Sequence, residues 1–193
     1  YLVGCLTITL DMPMNDIEFP RVRRCEGEKF KYVKELSYIE DTTESFPDLG
    51  RMNQLGQALF YASIAVKQDD TALRVVLSET VAKKLDRLNV IRSHQKNDCE
   101  LNLRIIGIRD HVRRGDQPYY LNNHIFDYYK KAKERMEQKF VPCLLSAYEL
   151  TDRFLADVLS RTGSKALYQV TSVISSAILE GDFCDGVLYS SVE

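Results

Sequence analysis

Three stretches of the sequence carry residues whose chemistry goes beyond packing. Arg51 stands in the glycine-flanked segment 49–56, and a guanidinium at the rim of a sheet can clamp a diphosphate through two parallel hydrogen bonds. Glu79 follows an apolar helical stripe, where a carboxylate can accept a ribose hydroxyl or stabilise a cationic sugar. Ser190 and Ser191 follow an apolar stretch, and their hydroxyls can bind phosphate or ribose.

Each of these residues also has an ordinary structural interpretation. Loops often carry unspecialised arginines, glutamates on helices commonly face water, and serines can simply end a strand. The serines lack the GxSxG motif that presents a nucleophilic serine. The patterns GxGxxG and GxxxxGK[ST], which mark Rossmann and P-loop nucleotide binding, are absent. A functional prediction therefore depends on how the three stretches combine.

The bulk composition restricts the classes of function. The chain has 193 residues, 45% of them hydrophobic, and a formal net charge of −2, which suits a globular protein with one core. It lacks the basic excess that nucleic-acid binding usually needs. Its longest apolar run is shorter than the roughly 20 residues of a membrane-spanning helix. We therefore expect neither a nucleic-acid partner nor a membrane.

The cysteines and histidines are too scattered for a metal site or a disulfide framework. The five cysteines include no CxxC pair, and the three histidines have no HExxH or other ligand spacing. We therefore expect no metal, and a reducing, cytoplasmic environment. Because the sequence starts with Tyr1 rather than methionine, we also expect it to begin inside a longer gene product.

Strand and helix patterns follow one another along the chain and predict one mixed α+β domain. The predicted helices cover residues 69–80, capped by Asp69 or Asp70, residues 125–139, residues 142–162 before Gly163, and a short segment from Thr171 or Ser172. The predicted strands cover residues 6–10, 58–63, 88–92, 101–108 and 186–189. Segment 19–23 is predicted to be irregular, and segment 39–48 to be a loop.

The order of six short motifs resembles that of the RES-domain family, which is named after an arginine, a glutamate and a serine. The motifs are FPRVR at 19–23, GRMNQLG at 50–56, LFYAS at 59–63, ALRVVLSE at 72–79, LYQVTS at 167–172 and DGVLYSS at 185–191. They are similar to the family's Y-R-x-R, G-R-W/x-N-P-x-G, L-Y-x-S/A, T-A-L-x-E, Y-x-x-T-Q/S and D-G-I-x-Y-P-S. Together they span nearly the whole chain.

The resemblance implies an ADP-ribosyltransferase-like fold, a split β-sheet core with surrounding helices that binds NAD in a cleft. It implies a single RES-like domain over residues 1–193, with residues 1–18 as an N-terminal extension. The implied activity is cleavage of the nicotinamide–ribose bond of NAD, by a glycohydrolase, phosphorylase or ADP-ribosyltransferase. Such an enzyme is a bacterial toxin or defence effector, so the implied partner is an antitoxin or immunity protein. The oligomeric state stays open.

The resemblance also implies a set of site residues, transferred position by position. The implied NAD-binding residues are Arg21, Arg23, Arg51, Asn53, Tyr61 and Ser191, and the implied catalytic residues are Glu79, Arg51 and Ser191. Arg51 would hold the diphosphate with help from Arg21 or Arg23. Tyr61 would stack against the nicotinamide or its ribose, and Ser191 would contact the nicotinamide or a phosphate. Glu79 would stabilise the cationic sugar.

The chain also departs from the family pattern. Met52, Leu55 and Ser190 stand where the family usually has tryptophan, proline and proline. The spacing between Tyr61 and Glu79 is longer than usual, and a tight alignment places Val75 at the position of the glutamate. One alternative is therefore a non-catalytic nucleotide-binding or partner-docking module of the same fold. Another is a partner-interaction domain that uses helices within residues 125–160 and binds no ligand.

Overall fold

The computed structural model separates the chain into two compact units. The described residues are 8–9, 17–25, 27, 30–40, 42–43, 46–66, 70–96, 99, 101–118, 121, 123–161, 163–180 and 184–190. The first unit takes these residues from 1–12, 100–162 and 177–193, and the second takes them from 13–99 and 163–176. Each unit contains one small three-stranded sheet. The mixed α+β class is confirmed, whereas the ADP-ribosyltransferase-like arrangement and the single-domain assignment stay predictions.

The first unit combines a mixed sheet with three helices that pack on one another. Its central strand β5 (Asn102–Ile105) pairs antiparallel with β1 (Ile8–Thr9) and parallel with β6 (Gly186–Leu188). The helices are α2 (Ile108–Arg114), α3 (Asn123–Lys139) and α4 (Pro142–Ser160). They belong to the long connection that a parallel strand pair requires. Ile105, Ile108, Phe126 and Leu159 form the centre of the buried apolar set.

The second unit is built around one long strand, β2. This strand (Ile17–Arg24) pairs antiparallel with β3 (Ala65–Val66) on one side and with β4 (Leu88–Ser93) on the other. Helix α1 (Thr71–Glu79) links β3 to β4 in sequence and contacts β2. Helix α5 spans Lys165–Leu179, of which residues 165–176 belong to this unit. Strand β2 therefore carries the first family-like motif through the middle of the sheet.

Most of the predicted periodic elements are confirmed. Helices α1, α3 and α4 form where the apolar spacing predicted helices. Pro142 is the first residue of α4, as expected of a proline at the first helical position. Helix α4 ends at Ser160, before the predicted terminator Gly163. Asp70 occupies the N-cap position of α1 without a side-chain capping bond, and Asp69 lies outside the described residues. Strands β1, β5 and β6 fall within the predicted ranges, and β4 extends one residue beyond its predicted end.

The predictions for segments 19–23 and 58–63 were wrong. Segment 19–23 is regular strand within β2. The less buried Phe19, Arg21 and Arg23 alternate with the buried Pro20 and Val22, as side chains of a strand do. Segment 58–63 has no regular secondary structure. Ser63 donates its backbone N–H to the Pro20 carbonyl at 3.0 Å, and the paired residues are Ala65–Val66 instead.

The predicted start of the last helix was also wrong. Thr171 and Ser172 lie in the interior of α5 and are buried. Their hydroxyls donate to the carbonyls of Tyr168 and Gln169, one turn earlier in the same helix. This back-bonding satisfies a buried hydroxyl inside a helix, where the sequence suggested a cap. Among the described helices, none has the length and apolar character needed to cross a bilayer.

Candidate functional site

The glycine-flanked loop of the second unit is held in shape by its own hydrogen bonds. The Asn53 side-chain amide donates to the Asp48 carbonyl at 2.8 Å. The backbone N–H of Gly56 donates to the Pro47 carbonyl at 2.9 Å. Asn53 is buried, so its amide is available to the loop rather than to water. The predicted ligand-binding residue Asn53 therefore shapes the loop.

The Tyr61 hydroxyl anchors the middle of this loop. It accepts the backbone N–H of Met52 at 2.8 Å and donates to the side-chain oxygen of Asn53 at 2.9 Å. A Cβ atom at Gly50 would lie 2.2 Å from that Asn53 oxygen and 3.2 Å from the Tyr61 hydroxyl. Position 50 therefore requires glycine, because any side chain would displace the amide that closes the network.

Arg51 lies between these fixed residues. Its backbone is anchored through Met52, whose N–H reaches Tyr61. The Nε atom of Arg51 is buried and has no hydrogen-bond partner within the part of the chain that the structure describes. A buried N–H without an acceptor is costly. Arg51 therefore presents an unfilled donor beside a rigid loop.

Two of the three arginines on β2 are occupied by protein oxygens. Arg23 donates to the carbonyl of Glu35. Arg24 donates through Nη2 to the carbonyls of Thr80 and Val81, at 3.1 and 2.8 Å. Arg24 also forms a 3.2 Å ion pair with Asp86. These contacts tie β2 to the 3-10 turn Val33–Leu36 and to the end of α1, although Arg24 Nε is buried and meets no acceptor among the described residues.

Arg21 differs from its two neighbours on the strand. Its Nη1 atom is buried and meets no acceptor among the described residues. Its guanidinium carbon lies 5.4 Å from the centre of the Phe60 ring. Burial lowers the pKa of Arg21, the charge of Arg23 lowers it further, and the nearby Tyr61 partly offsets both effects. Arg21 therefore lies close enough to Arg23 and to Tyr61 for each of them to affect its charge.

An open groove runs beside these side chains, with a volume of about 630 Å³. Its lining includes Arg21, Arg23, Arg24, Phe30 and Thr80. Ligand-binding clefts commonly have volumes of about 300–1,000 Å³. The lining is cationic, and Arg21 Nη1 and Arg24 Nε within it meet no acceptor among the described residues, which favours an anionic ligand.

The predicted catalytic residue Glu79 belongs to the same unit as the groove. It is the last residue of α1, and its side chain is exposed. The following residue, Thr80, lines the groove and accepts a hydrogen bond from Arg24. Successive side chains of a strand point to opposite faces, so the helix end is anchored from the face of β2 opposite to Arg21 and Arg23. The helix end that carries Glu79 is therefore bonded to Arg24, and the exposed Glu79 carboxylate directly precedes Thr80 in sequence.

No family model, curated protein or solved structure matches this chain. The resemblance to RES-domain proteins therefore stays a prediction.

The structure brings part of the predicted site together in one unit. Arg21 interacts electrostatically with Arg23 and with Tyr61, and Tyr61 is bonded to Asn53 and to the residue after Arg51. Ser191 lies outside the described residues. Within the described ranges, no group of three or more histidine, cysteine, aspartate or glutamate side chains is arranged to hold a metal.

Sequence analysis missed Phe60, because the apolar run around it was interpreted as a buried strand. The ring is 40% exposed and faces Arg21. The sequence signal for Phe60 is its position directly before Tyr61 in the motif. A residue next to Tyr61 in sequence lies near the loop residues that Tyr61 binds.

Proposed function

We propose that the groove of the second unit binds the diphosphate of NAD, and that the chain is a RES-like enzyme that cleaves the nicotinamide–ribose bond. The observation that carries the proposal is that Arg21 Nη1, in a residue of the groove lining, meets no acceptor among the described residues, as is also true of Arg24 Nε and Arg51 Nε in the same unit. A buried cation without a counter-ion is destabilising. A bound diphosphate supplies oxygens for such donors and removes that cost.

A diphosphate suits the site better than a single carboxylate. Guanidinium groups bind phosphate oxygens in parallel pairs, and two arginines can each engage one phosphate. Tyr61 keeps the Arg51 loop rigid through Met52 and Asn53, so little ordering accompanies binding. The choice of NAD among diphosphates comes from the RES resemblance.

The proposed reaction needs one further group, which we assign to Glu79. Cleavage of the glycosidic bond releases nicotinamide as a neutral base, and the bonding electron pair leaves with it. The ribose carbon becomes cationic, and a carboxylate beside it lowers the energy of that state. The arginines hold the diphosphate away from the reacting carbon. Water, phosphate or a protein side chain then donates the electron pair that forms the new bond to the sugar.

The cellular role proposed for this activity is that of a cytoplasmic toxin or defence effector. A protein that consumes NAD requires restraint in its host, so the proposed partner is an antitoxin or immunity protein. Metabolite profiling of cells that express the chain tests this role. A collapse of the NAD pool is the expected result, and an unchanged pool in cells that contain the folded protein would contradict it.

The enzymatic proposal is tested by measuring NAD consumption with Glu79→Gln beside the wild type. Removing the charge from a group that stabilises a transition state typically reduces turnover by about 100-fold or more. Glu134→Gln is the matched control, because Glu134 is also an exposed glutamate on a helix. Equal turnover in wild type and Glu79→Gln would exclude the assigned role.

A second candidate is a nucleotide-binding module without catalysis. The exposure of Glu79 favours it, because carboxylates that stabilise a cation usually act where water is excluded. Calorimetry with NAD and with ADP-ribose separates the two candidates. Binding of both ligands without any loss of NAD supports the module, and loss of NAD supports the enzyme.

A further inference from the structure

We propose that Phe60 stacks on the aromatic base that is joined to the diphosphate held by Arg21. The groove then selects nucleotides over bare diphosphates. The inference rests on the proposed diphosphate site and adds to it a residue that determines specificity.

The first argument concerns the position of the ring. A lone exposed phenylalanine is common on protein surfaces and indicates nothing by itself. Phe60 is exposed next to a cation, with the Arg21 guanidinium carbon 5.4 Å from its ring centre. That cation carries a buried donor that no described residue fills. An anionic group bound by Arg21 would therefore lie within a few ångströms of an accessible aromatic surface.

The second argument compares Phe60 with its neighbour Tyr61. The Tyr61 hydroxyl is engaged by the Met52 N–H and by Asn53, so this side chain is held by the loop. Phe60 has no polar atom with which the loop could hold it. The family resemblance implies a stacking role for Tyr61. We assign the stacking of the base next to the diphosphate to Phe60 instead.

The third argument comes from the other arginine–aromatic pair on β2. Arg23 lies 5.5 Å from the centre of the Phe30 ring, but its guanidinium donates to the Glu35 carbonyl. Arg21 and Phe60 form the pair whose cation is available to a ligand. Stacking of one base on an aromatic side chain commonly changes affinity by about ten-fold or more.

Calorimetric titration of the full chain with two probes, ADP-ribose and inorganic pyrophosphate, tests this proposal. Phe60→Ala should weaken ADP-ribose binding about ten-fold and leave pyrophosphate binding unchanged. Phe60→Tyr should restore ADP-ribose binding, because it keeps the aromatic face. The matched control is Phe154→Ala, which removes a similarly exposed ring from α4 in the other unit and should change neither affinity.

The outcomes separate this inference from the function on which it rests. If Phe60→Ala binds ADP-ribose as tightly as the wild type while pyrophosphate still binds, the stacking role is wrong and the diphosphate site stands. If Phe60→Ala weakens both probes equally, the ring supports Arg21 and does not read the base. If the folded wild type binds neither probe, both proposals fail. Unchanged thermal unfolding of Phe60→Ala establishes that the variant is folded.

Discussion

The two units each bury a charged side chain, and they treat it in opposite ways. In the first unit, Asp152 of α4 is 6% exposed and accepts the backbone N–H groups of Gly107 and Arg109, at 2.9 and 3.0 Å. In the second unit, Arg21 keeps a buried Nη1 without an acceptor among the described residues. Burial shifts both groups away from the charged form, raising the pKa of Asp152 and lowering that of Arg21.

The two charges differ in their hydrogen bonding. Asp152 accepts backbone N–H groups of its own unit, whereas Arg21 keeps a donor without an acceptor among the described residues. The Asp152 carboxylate accepts backbone N–H groups at the start of α2. These N–H groups therefore need no water or ligand as an acceptor. Arg21 keeps one guanidinium nitrogen without an acceptor among the described residues, and burial of a charged group without a partner lowers stability. The following substitutions test this contrast.

The largest effect is expected from Asp152→Ala. The substitution leaves two buried backbone N–H groups without their charged acceptor, and each such loss costs about 1.5–3 kcal/mol. We expect the free energy of unfolding to fall by about 3 kcal/mol, measured by urea denaturation. Asp157→Ala, an exposed position on the same helix, should cost at most about 0.5 kcal/mol. Similar losses in both variants would contradict the structural role of Asp152.

A smaller effect is expected where β2 meets α1. Arg24→Met removes two hydrogen bonds to carbonyls and an ion pair. Because the side chain is partly exposed, the expected loss is about 1–2 kcal/mol. Arg21→Met removes a half-buried guanidinium whose Nη1 meets no acceptor among the described residues, so the free energy of unfolding should stay the same or rise. A greater loss from Arg21→Met than from Arg24→Met in the same urea experiment would reverse the contrast.

The loop network gives a third prediction. Tyr61→Phe removes the hydroxyl that joins Met52 to Asn53, which should lower stability by about 1 kcal/mol. Amide hydrogen exchange at Met52 should accelerate, because its N–H loses its acceptor. Unchanged protection at Met52 would show that another group holds the loop.

The smallest expected effect is a pH dependence in the first unit. The pKa of Asp152 is raised above the ordinary value of about 3.9, so the folded protein binds this proton more tightly than the unfolded chain. The stability that protonation of Asp152 contributes is present below about pH 3.9 and is lost as the pH rises through the raised pKa.

This pH dependence is isolated by comparing the wild type with Asp152→Asn, which cannot titrate. The free energy of unfolding of the wild type, relative to that of the variant, should decrease as the pH rises through this window. Urea denaturation at a series of pH values measures the difference. An increase with pH would show that the carboxylate is stabilised in its charged form.

Sequence patterns predicted what depends on local periodicity. Helices α3 and α4 were predictable because their apolar residues repeat over several turns. Strand β2 was missed because its outward residues, Arg21 and Arg23, together with Pro20, obscure the alternation. Segment 58–63 was misassigned because an apolar run alone does not distinguish a buried strand from an exposed aromatic residue such as Phe60.

The site was predictable in composition but not in detail. The motifs included Arg21, Asn53 and Tyr61, of which Tyr61 bonds Asn53 and interacts with Arg21 in the fold. The motifs could not predict that Arg23 and Arg24 donate to backbone carbonyls whereas, in the described part of the chain, Arg21 Nη1 does not. That difference depends on the carbonyls of Glu35, Thr80 and Val81. These acceptors lie 12 to 57 residues away in sequence, and only the folded chain brings them to the strand.

The contrast between satisfied and unfilled charges is tested most directly by titrating the protein with ADP-ribose in a calorimeter. The variants are Arg21→Met and, as a matched control, Arg92→Met, which alters an arginine of the neighbouring strand that pairs with Glu18. Loss of a charge-assisted contact should weaken binding by about 10–100-fold in Arg21→Met and leave Arg92→Met like the wild type. Equal binding by all three proteins would contradict the assignment of Arg21 to the diphosphate.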